Sequence, residues 1–363
     1  MSLPAALGEH EQVVVGHDPA TGLRAIVAIH STALGPALGG TRFVPYADLD
    51  AALDDALALA RAMTYKNALA GLPHGGGKGV ILGDPARDKS PDMLRAYGRL
   101  VASLGGRYVT ACDVGTYVAD MDIVATVNPW TTGRSPERGG AGDSGDLTAV
   151  GVHHGIKAVA EHLWGTPSLA GRRVAIAGVG KVGRRLAGHV LGEGGSVLAA
   201  DVSPDAIERL RAEHPEVEVA ASADDLVESD ADVLAPCALG GMITAEVAER
   251  LTARAICGGA NNQLAEHVLA DRLAERGVLF APDFLVNAGG VIAVGAEYAG
   301  RGTYDDASAR ERARAIGATL LDVLRRADSS GTTPLEAAER LAEERIAGAE
   351  PRPPFAGDPR GAA

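Results

Sequence analysis

The sequence predicts an α/β fold containing a parallel sheet with helices on both faces, and three observations predict it. Beyond Gly171, short runs of β-forming residues alternate with segments of helical period. Gly178-Val179-Gly180-Lys181-Val182-Gly183 reads G-x-G-x-x-G at the junction of such a strand and helix. The length, 363 residues, exceeds what one hydrophobic core usually organises, and it predicts two domains.

Composition bounds the function. Hydrophobic residues make up 46% and charged residues 22%, as in soluble globular proteins, while 47 glycines and only 4% aromatics point to many tight turns. The formal net charge is −13 with no Lys/Arg cluster, which argues against partners such as nucleic acid or a membrane surface. No apolar run reaches the length of a membrane span, and Met1 to Gln12 lacks the basic and apolar segments of a signal peptide. Three cysteines, Cys112, Cys237 and Cys257, are widely spaced. Neither a disulfide framework nor a zinc cluster follows, and the expected compartment is the reducing cytoplasm.

The elements follow in order. Gln12 to Val15 and Leu23 to Ile29 form a hairpin around Asp18-Pro19-Ala20-Thr21-Gly22. Gly35 to Gly40 is a loop, and Asp48 caps a helix that runs to Leu69. A Gly-rich loop from Gly71 to Lys78 precedes a short strand, Gly79 to Leu82. Ser90-Pro91 opens a helix closed by Gly105-Gly106; Tyr108 to Cys112 is a strand, and a short helix spans Val118 to Val127. Residues 131–146 are polar and Gly-rich, a linker or hinge, and Leu147 to Trp164 is helical. Strands at 173–177, 196–200, 233–234, 255–257 and 278–281 then alternate with helices at 181–192, 204–213, 245–251 and 264–276. Helices around 304–327 and 334–346 follow, and the tail 351–363 has a disordered composition.

The G-x-G-x-x-G run has the context that gives it meaning. It follows the strand Val174-Ala175-Ile176-Ala177 and opens a helix, so its glycines allow a tight turn and close approach of a pyrophosphate to the helix N-terminus. Asp201 ends the next strand, eighteen residues beyond Gly183. An acid there accepts hydrogen bonds from the adenosine ribose hydroxyls and repels a 2′-phosphate, which favours NAD over NADP. The alternative is a Gly-rich strand–helix turn that binds nothing.

Lysine is rare: only Lys66, Lys78, Lys89, Lys157 and Lys181 occur, against 34 Lys and Arg together. A chain that uses Arg for surface cations keeps Lys where a proton must be lost. Lys78 follows three glycines, whose backbone a ligand can approach, and a buried Lys there can serve as acid or base. Lys66 can stay charged and bind a carboxylate. Two ordinary surface lysines are the alternative. Asp113 follows the strand Tyr108 to Cys112, either as a carboxylate for cleft chemistry or as a helix N-cap. His153-His154 are adjacent on a helix and do not share a face, His74 is incidental, and Cys112 and Cys237 pack rather than attack. No Ser-His-Asp arrangement, P-loop or metal-ligand spacing is present.

Seven motifs now fall in one order: Leu38-Gly39-Gly40-Thr41-Arg42, Thr64-Tyr65-Lys66-Asn67-Ala68, Gly75-Gly76-Gly77-Lys78, Asp113-Val114-Gly115-Thr116, Gly178 to Gly183, Gly259-Ala260-Asn261-Asn262-Gln263 and Asn287-Ala288-Gly289-Gly290-Val291-Ile292. Together they resemble the amino-acid dehydrogenases that act on glutamate, leucine, phenylalanine and valine, over about residues 10 to 347. Residues 129–144 look most like the valine enzymes. Pro73-His74 depart from the family pattern, which leads one to expect an acid and an aliphatic residue there.

The resemblance implies an N-terminal α/β substrate and oligomerisation domain, 1–134, joined by C-terminal helices 325–350. It implies a doubly wound Rossmann NAD domain, 135–324, with the active site in the cleft between the two. Lys66 would bind the substrate carboxylate, helped by backbone around Gly39-Gly40 and by Asn262. Lys78 would be the low-pKa lysine that activates water and polarises the carbonyl, and Asp113 would shuttle a proton to and from the amine. Thr148 and Asn287 would lie near the nicotinamide carboxamide, and Lys181, Val182, Ala238 and Asn261 would add cofactor contacts. Leu38, Ala111, Val291 and Val294 would wall the side-chain pocket; in the glutamate enzymes a lysine replaces Leu38 and faces the side-chain carboxylate.

The reading is thus NAD-dependent oxidative deamination of branched-chain L-amino acids to 2-oxo acids and ammonia, and the reverse, by a cytoplasmic homo-oligomer with a dimer as the first expectation. No metal is expected. The alternatives are a phenylalanine or broader-specificity dehydrogenase, and a non-catalytic NAD-binding module, which would not require the set Lys66, Lys78 and Asp113.

Overall fold

The computed structural model describes residues 7–300 and 303–350. They divide into two compact units: the described parts of Met1–Ser144, Val291–Ala309 and Ala342–Ala363 form the first, and Gly145–Gly290 with Arg310–Leu341 form the second.

In the first unit β1 (Gln12–Asp18), β2 (Leu23–Ser31), β3 (Ala37–Val44), β4 (Gly75–Leu82) and β5 (Tyr108–Cys112) make a mixed sheet. Its order is β1-β2-β4-β3-β5, with the β1-β2 and β2-β4 pairs antiparallel and the β4-β3 and β3-β5 pairs parallel. Helices α1 (Leu49–Leu69), α2 (Pro91–Ala102) and α3 (Val118–Val124) accompany it. Asp48 caps α1 by accepting from the Ala51 N–H at 2.8 Å, and Ser90 caps α2 by accepting from Met93 at 3.2 Å, each satisfying an otherwise orphaned donor of the first turn. Small residues on α1, Ala52, Ala56 and Ala60, pack with Ile26, Ala28 and Val80. Met93, Leu94, Tyr97 and Val101 of α2 pack with Val27, Ile29, Phe43 and Tyr108 in a second cluster.

Two loops of the sequence reading are strands. Gly35 to Gly40 runs into β3, and the glycine run from Gly75 onward is a fully buried strand, β4, between β2 and β3. Its glycines make room for neighbours rather than for a ligand. A β-carbon on Gly77 would lie 2.8 Å from the Tyr108 ring, and one on Gly76 would collide with Thr64 of α1.

In the second unit α4 (Gly145–Trp164) precedes an alternating series. It runs β6 (Arg173–Ala177), α5 (Gly183–Gly192), β7 (Ser196–Ala200), α6 (Pro204–Glu213), β8 (Glu218–Val219), α7 (Ala223–Val227) and β9 (Val233–Pro236). Then come α8 (Ala245–Arg250), β10 (Ala255–Ile256), α9 (Leu269–Glu275), β11 (Leu279–Phe280) and α10 (Asp283–Val286). The sheet is parallel throughout, in the order β8-β7-β6-β9-β10-β11. Counted from β6 this is 3-2-1-4-5-6, the doubly wound dinucleotide-binding topology. Helices α11 (Gly289–Ala299), α12 (Asp306–Ser330) and α13 (Pro334–Ala347) are the last elements among the described residues.

The division differs from the expected one. It falls at Ser144/Gly145 rather than 134/135, and of the stretch 325–350 the part up to Leu341 belongs to the second unit. Val291–Ala309, expected in the second domain, belongs to the first. The cause is visible in residues 131–144, which are not a free linker. Gly133, Arg134 and Ala141 all donate to Glu297 of α11, and the Ser135 N–H donates to Asp122 at 3.1 Å. The tail 351–363 lies outside the described residues.

Candidate active site

The acid–base candidates meet in the first unit. Parallel pairing sets Gly40 opposite Ala111 and Thr41 opposite Cys112, so the next residue, Asp113, emerges at the end of β5 beside β3. Lys78 of β4, 5% exposed, donates a hydrogen bond to Asp113 Oδ2 in an ion pair. Asp113 is not a helix cap: α3 begins at Val118 behind Tyr117, and the Asp113 carboxylate is turned to Lys78. The Thr116 hydroxyl accepts from the Asp113 N–H at 2.9 Å and donates to the Thr41 carbonyl at 2.7 Å, which fixes the turn to β3. Burial would raise the Asp113 carboxyl, but Lys78 first and Arg42 second outweigh it and hold it below the usual carboxylate range.

Lys66 is half-buried on α1. Met63, three residues before it on the same face, would meet a β-carbon on Gly39 at 3.3 Å, and the adjacent Asn67, on a different face from Lys66, donates its amide to the carbonyls of Leu38 at 3.1 Å and Gly75 at 2.6 Å. Met63 and Asn67, one turn apart, thereby seat α1 over Leu38-Gly39. Gly39 and Gly40 are required for close packing: a β-carbon on Gly40 would lie 2.7 Å from the Cys112 carbonyl and 2.8 Å from Asp113 Cβ. The Tyr108 hydroxyl donates to the Gly39 carbonyl at 2.7 Å.

Three of the four pocket candidates keep a trace of accessible surface, Ala111 at 4%, Val291 at 7% and Val294 at 8%, while Leu38 has none. A β-carbon on Gly133 would stand 3.5 Å from Cys112 Sγ and 3.7 Å from Val294 Cγ1, so the end of β5 and the valine face of α11 are close neighbours. Glu297, one turn beyond Val294 and wholly buried, accepts from the Gly133 N–H at 2.8 Å, Arg134 Nε at 2.8 Å and the Ala141 N–H at 3.0 Å.

The dinucleotide candidates belong to the second unit, and the three fingerprint glycines have three different surroundings. Gly178 takes a φ of +96° and abuts Ala238, whose Cβ a side chain here would meet at 2.6 Å. A β-carbon on Gly183 would press on Ile176 at 3.2 Å, which holds α5 against β6. One on Gly180 meets nothing within 4 Å, which leaves open backbone for a phosphate. Lys181 is exposed and Val182 precedes α5. Asp201 Oδ2 accepts from the Val179 N–H at 2.7 Å and Oδ1 from Ser203 at 2.8 Å, so the acid also braces the fingerprint loop. A carboxylate oxygen has a second lone pair for a ribose hydroxyl.

Also in the second unit, Asn287 donates to Asn261 Oδ1 at 2.8 Å and to the Ala260 carbonyl at 3.2 Å, while its own Oδ1 is buried without a hydrogen-bond partner. An orphaned acceptor here fits a carboxamide N–H such as that of a nicotinamide. Gln263, fully buried, bonds the carbonyls of Gly258 and Ala260 and so shapes the 259–263 loop. In that loop Asn262 is exposed and adopts a φ of +51°, the one positive φ outside glycine among the described residues. Thr148 lies 9% exposed near the start of α4. The residues present therefore fit a dinucleotide. Among the described residues no group of three or more His, Cys, Asp or Glu side chains could hold a metal ion, and no helix is long and apolar enough to cross a membrane. Burial pushes the Cys237 thiol up to about 12, which keeps it protonated at neutral pH.

Two residues escaped the sequence reading. Arg42 sits inside a quoted motif yet drew no role, and it lies 3.6 Å from Asp113. Glu297 is the one acid in the otherwise apolar helix α11, and such isolation is the signal of a buried, partnered charge.

Comparison with known proteins covers nearly the whole chain. Residues 10–128 match the family model described as Glu/Leu/Phe/Val dehydrogenase, dimerisation domain, and residues 202–352 match that of Glutamate/Leucine/Phenylalanine/Valine dehydrogenase. A valine dehydrogenase of Streptomyces coelicolor is 56% identical over 95% of this chain and 94% of its own length. A leucine dehydrogenase of Bacillus subtilis is 45% identical over 93% of this chain and 92% of its own. The crystal structure of an L-tryptophan dehydrogenase from Nostoc punctiforme superposes with a TM-score of 0.81 at 39% identity, covering 93% of this chain and 97% of that one.

Proposed function

The chain belongs to the glutamate, leucine, phenylalanine and valine dehydrogenase family, and from that membership we propose that it deaminates branched-chain L-amino acids with NAD, releasing the 2-oxo acid and ammonia, and runs the reverse amination. The observation that carries the reading is the ion pair between Lys78, midway along β4, and Asp113, just beyond the end of β5, the two strands that flank β3. A dinucleotide-binding module alone has no use for it.

NAD, when bound, supplies a hydride acceptor for the substrate α-carbon. Lys66 binds the substrate carboxylate from the helix that Asn67 anchors to the Leu38 carbonyl, and Asn262 and the Gly39-Gly40 backbone assist it. Once deprotonated, Lys78 takes a proton from the water that attacks the iminium carbon, passes it to the paired Asp113 carboxylate, and accepts the hydroxyl proton as the carbonyl forms. Asp113 carries that proton to the departing amine, and its lowered pKa keeps it ionised until the proton arrives. The carbinolamine then collapses, the C–N bond breaks with its electron pair leaving on ammonia, and the C=O bond forms.

Ala111, Val291 and Val294 support a short, stiff, branched-chain pocket, and the absence of a cation at Leu38 disfavours a side-chain carboxylate. Gly178, Gly180, Lys181, Val182, Gly183 and Ala238 hold the pyrophosphate; Thr148, Asn261 and Asn287 hold the nicotinamide. Asp201 selects NAD over NADP by occupying the place of a 2′-phosphate. A homo-oligomer is the working state, which the match of residues 10–128 to a dimerisation domain supports, and the cytoplasm is its expected compartment. The test is a steady-state panel of L-amino acids read by NADH absorbance. Valine, leucine and isoleucine should head it and overlap, and glutamate as best substrate would sink the assignment.

A further inference from the structure

Arg42 lies beside Asp113 because the residues that follow each are paired: the Phe43 N–H donates to the Val114 carbonyl at 2.8 Å. The guanidinium is gripped from its far end. Arg42 NH1 donates to both oxygens of Asp55 on α1, at 3.2 and 3.0 Å, and the Tyr46 hydroxyl also donates to Asp55. A planar fork held at one nitrogen has little freedom left at the others. Its Nε is buried without a hydrogen-bond partner and lies 3.6 Å from Asp113 Oδ2. That is the same oxygen that Lys78 engages. A buried donor left unmet is costly, and here a shift of the carboxylate by about 0.7 Å brings it to hydrogen-bond length.

We propose that Arg42 is a positioning residue for Asp113: braced by Asp55 and Tyr46, it is the second cation for Asp113 Oδ2 and receives that oxygen when Lys78 turns to water or substrate. The inference rests on the assignment of Lys78 and Asp113 to proton transfer. Within that reading, one carboxylate oxygen passes between a movable ammonium and a fixed guanidinium. Asp113 therefore stays ionised and aimed while Lys78 is occupied.

A double-mutant cycle tests it, with valine turnover, the Michaelis constant for valine and NADH binding measured for each variant. Arg42→Gln should lower kcat by at least about tenfold while KM moves far less, and Arg42→Lys should recover part of the loss. In an Asp113→Asn background Arg42→Gln should cost less than about twofold more, because the group it acts through is gone. Equal factors in both backgrounds would overturn the inference and leave the proton-transfer reading intact, as would an Arg42→Gln enzyme with the turnover of the wild type. An Asp113→Asn enzyme with wild-type kcat would overturn both. If Arg42→Gln does not fold, Arg42→Lys enters the same cycle: a several-fold loss confined to the Asp113 background supports the inference, and a loss equal in both, or none, refutes it.

Discussion

The wholly buried carboxylate of Glu297 accepts from Arg134 Nε at 2.8 Å, across 163 positions of sequence. With the N–H groups of Gly133 and Ala141 on its other oxygen, it ties the 133–141 segment to the helix that carries Val291 and Val294. Glu297→Ala should therefore destabilise the protein by about 3–5 kcal/mol, the usual cost of stranding a buried partner. Glu297→Gln, which keeps an acceptor but loses the charge, should cost less. Thermal unfolding of both variants checks this, and an unchanged midpoint for the alanine variant would show that the contact is dispensable.

Acid should loosen each unit before its carboxylates titrate. His30 in the first unit and His153 in the second are both lowered to about 4, chiefly by burial and further by neighbouring cations and imidazoles. Above about pH 6.5 neither the folded nor the unfolded chain protonates them, so stability is unaffected. Between about 6.5 and about 4 the unfolded chain binds the protons first, and stability falls as pH falls. The loss per ring is on the order of 3 kcal/mol when complete. His30→Gln, which can still bond the Thr64 hydroxyl, should flatten part of this fall in melting curves taken across that range. An identical pH dependence in the variant would exclude His30 as a contributor.

Lys78→Arg keeps a cation that can still meet Asp113, but a guanidinium does not give up its proton. Turnover should drop by roughly 10²–10⁴-fold while NADH binding, followed by fluorescence titration, persists. Activity near wild type would remove Lys78 from the acid–base role.

Asp201, proposed to read the ribose, also braces Val179 and Ser203. Asp201→Ser should lower the NAD to NADP ratio of kcat/KM and also raise the KM for NAD, because the fingerprint loop loses an acceptor. Equal use of both cofactors by the wild type would show that the acid does not read the ribose.

Val291→Ala should move preference toward longer side chains, since each methylene of room is worth about 1–3 kcal/mol of discrimination. Ratios of kcat/KM for leucine, phenylalanine and valine in wild type and variant are the measurement. An unchanged ranking would place the pocket elsewhere.

The second unit was readable from its sequence because the signals there are local. Val174 to Ala177, the three spaced glycines and Asp201 all lie within one strand–helix–strand stretch. The first unit hid more. Gly75, Gly76 and Gly77 carry the signature of a loop, yet they form a buried strand because Thr64, Tyr108 and the Ser31 backbone occupy the space of their side chains, and no local pattern encodes a neighbour's bulk. Helix α11 is apolar nearly throughout and so lacks the two-faced period that announces a helix. The roles of Arg42 and Glu297 depend on partners supplied from other strands and loops, and only the fold joins them.

The chain passes from one unit to the other after residues 144, 290, 309 and 341, and the last three crossings lie within α11, α12 and α13. Recombination between relatives therefore cannot exchange either half as a continuous cassette. A hybrid gene joined at residue 144 would take Gly133, Arg134 and Ala141 from one parent and Glu297, Val291 and Val294 from the other. The proposed pocket would be a mosaic in such a hybrid, viable only where both parents keep the same buried acid and the same donors for it, so new specificities would be reached more readily by point substitution than by shuffling.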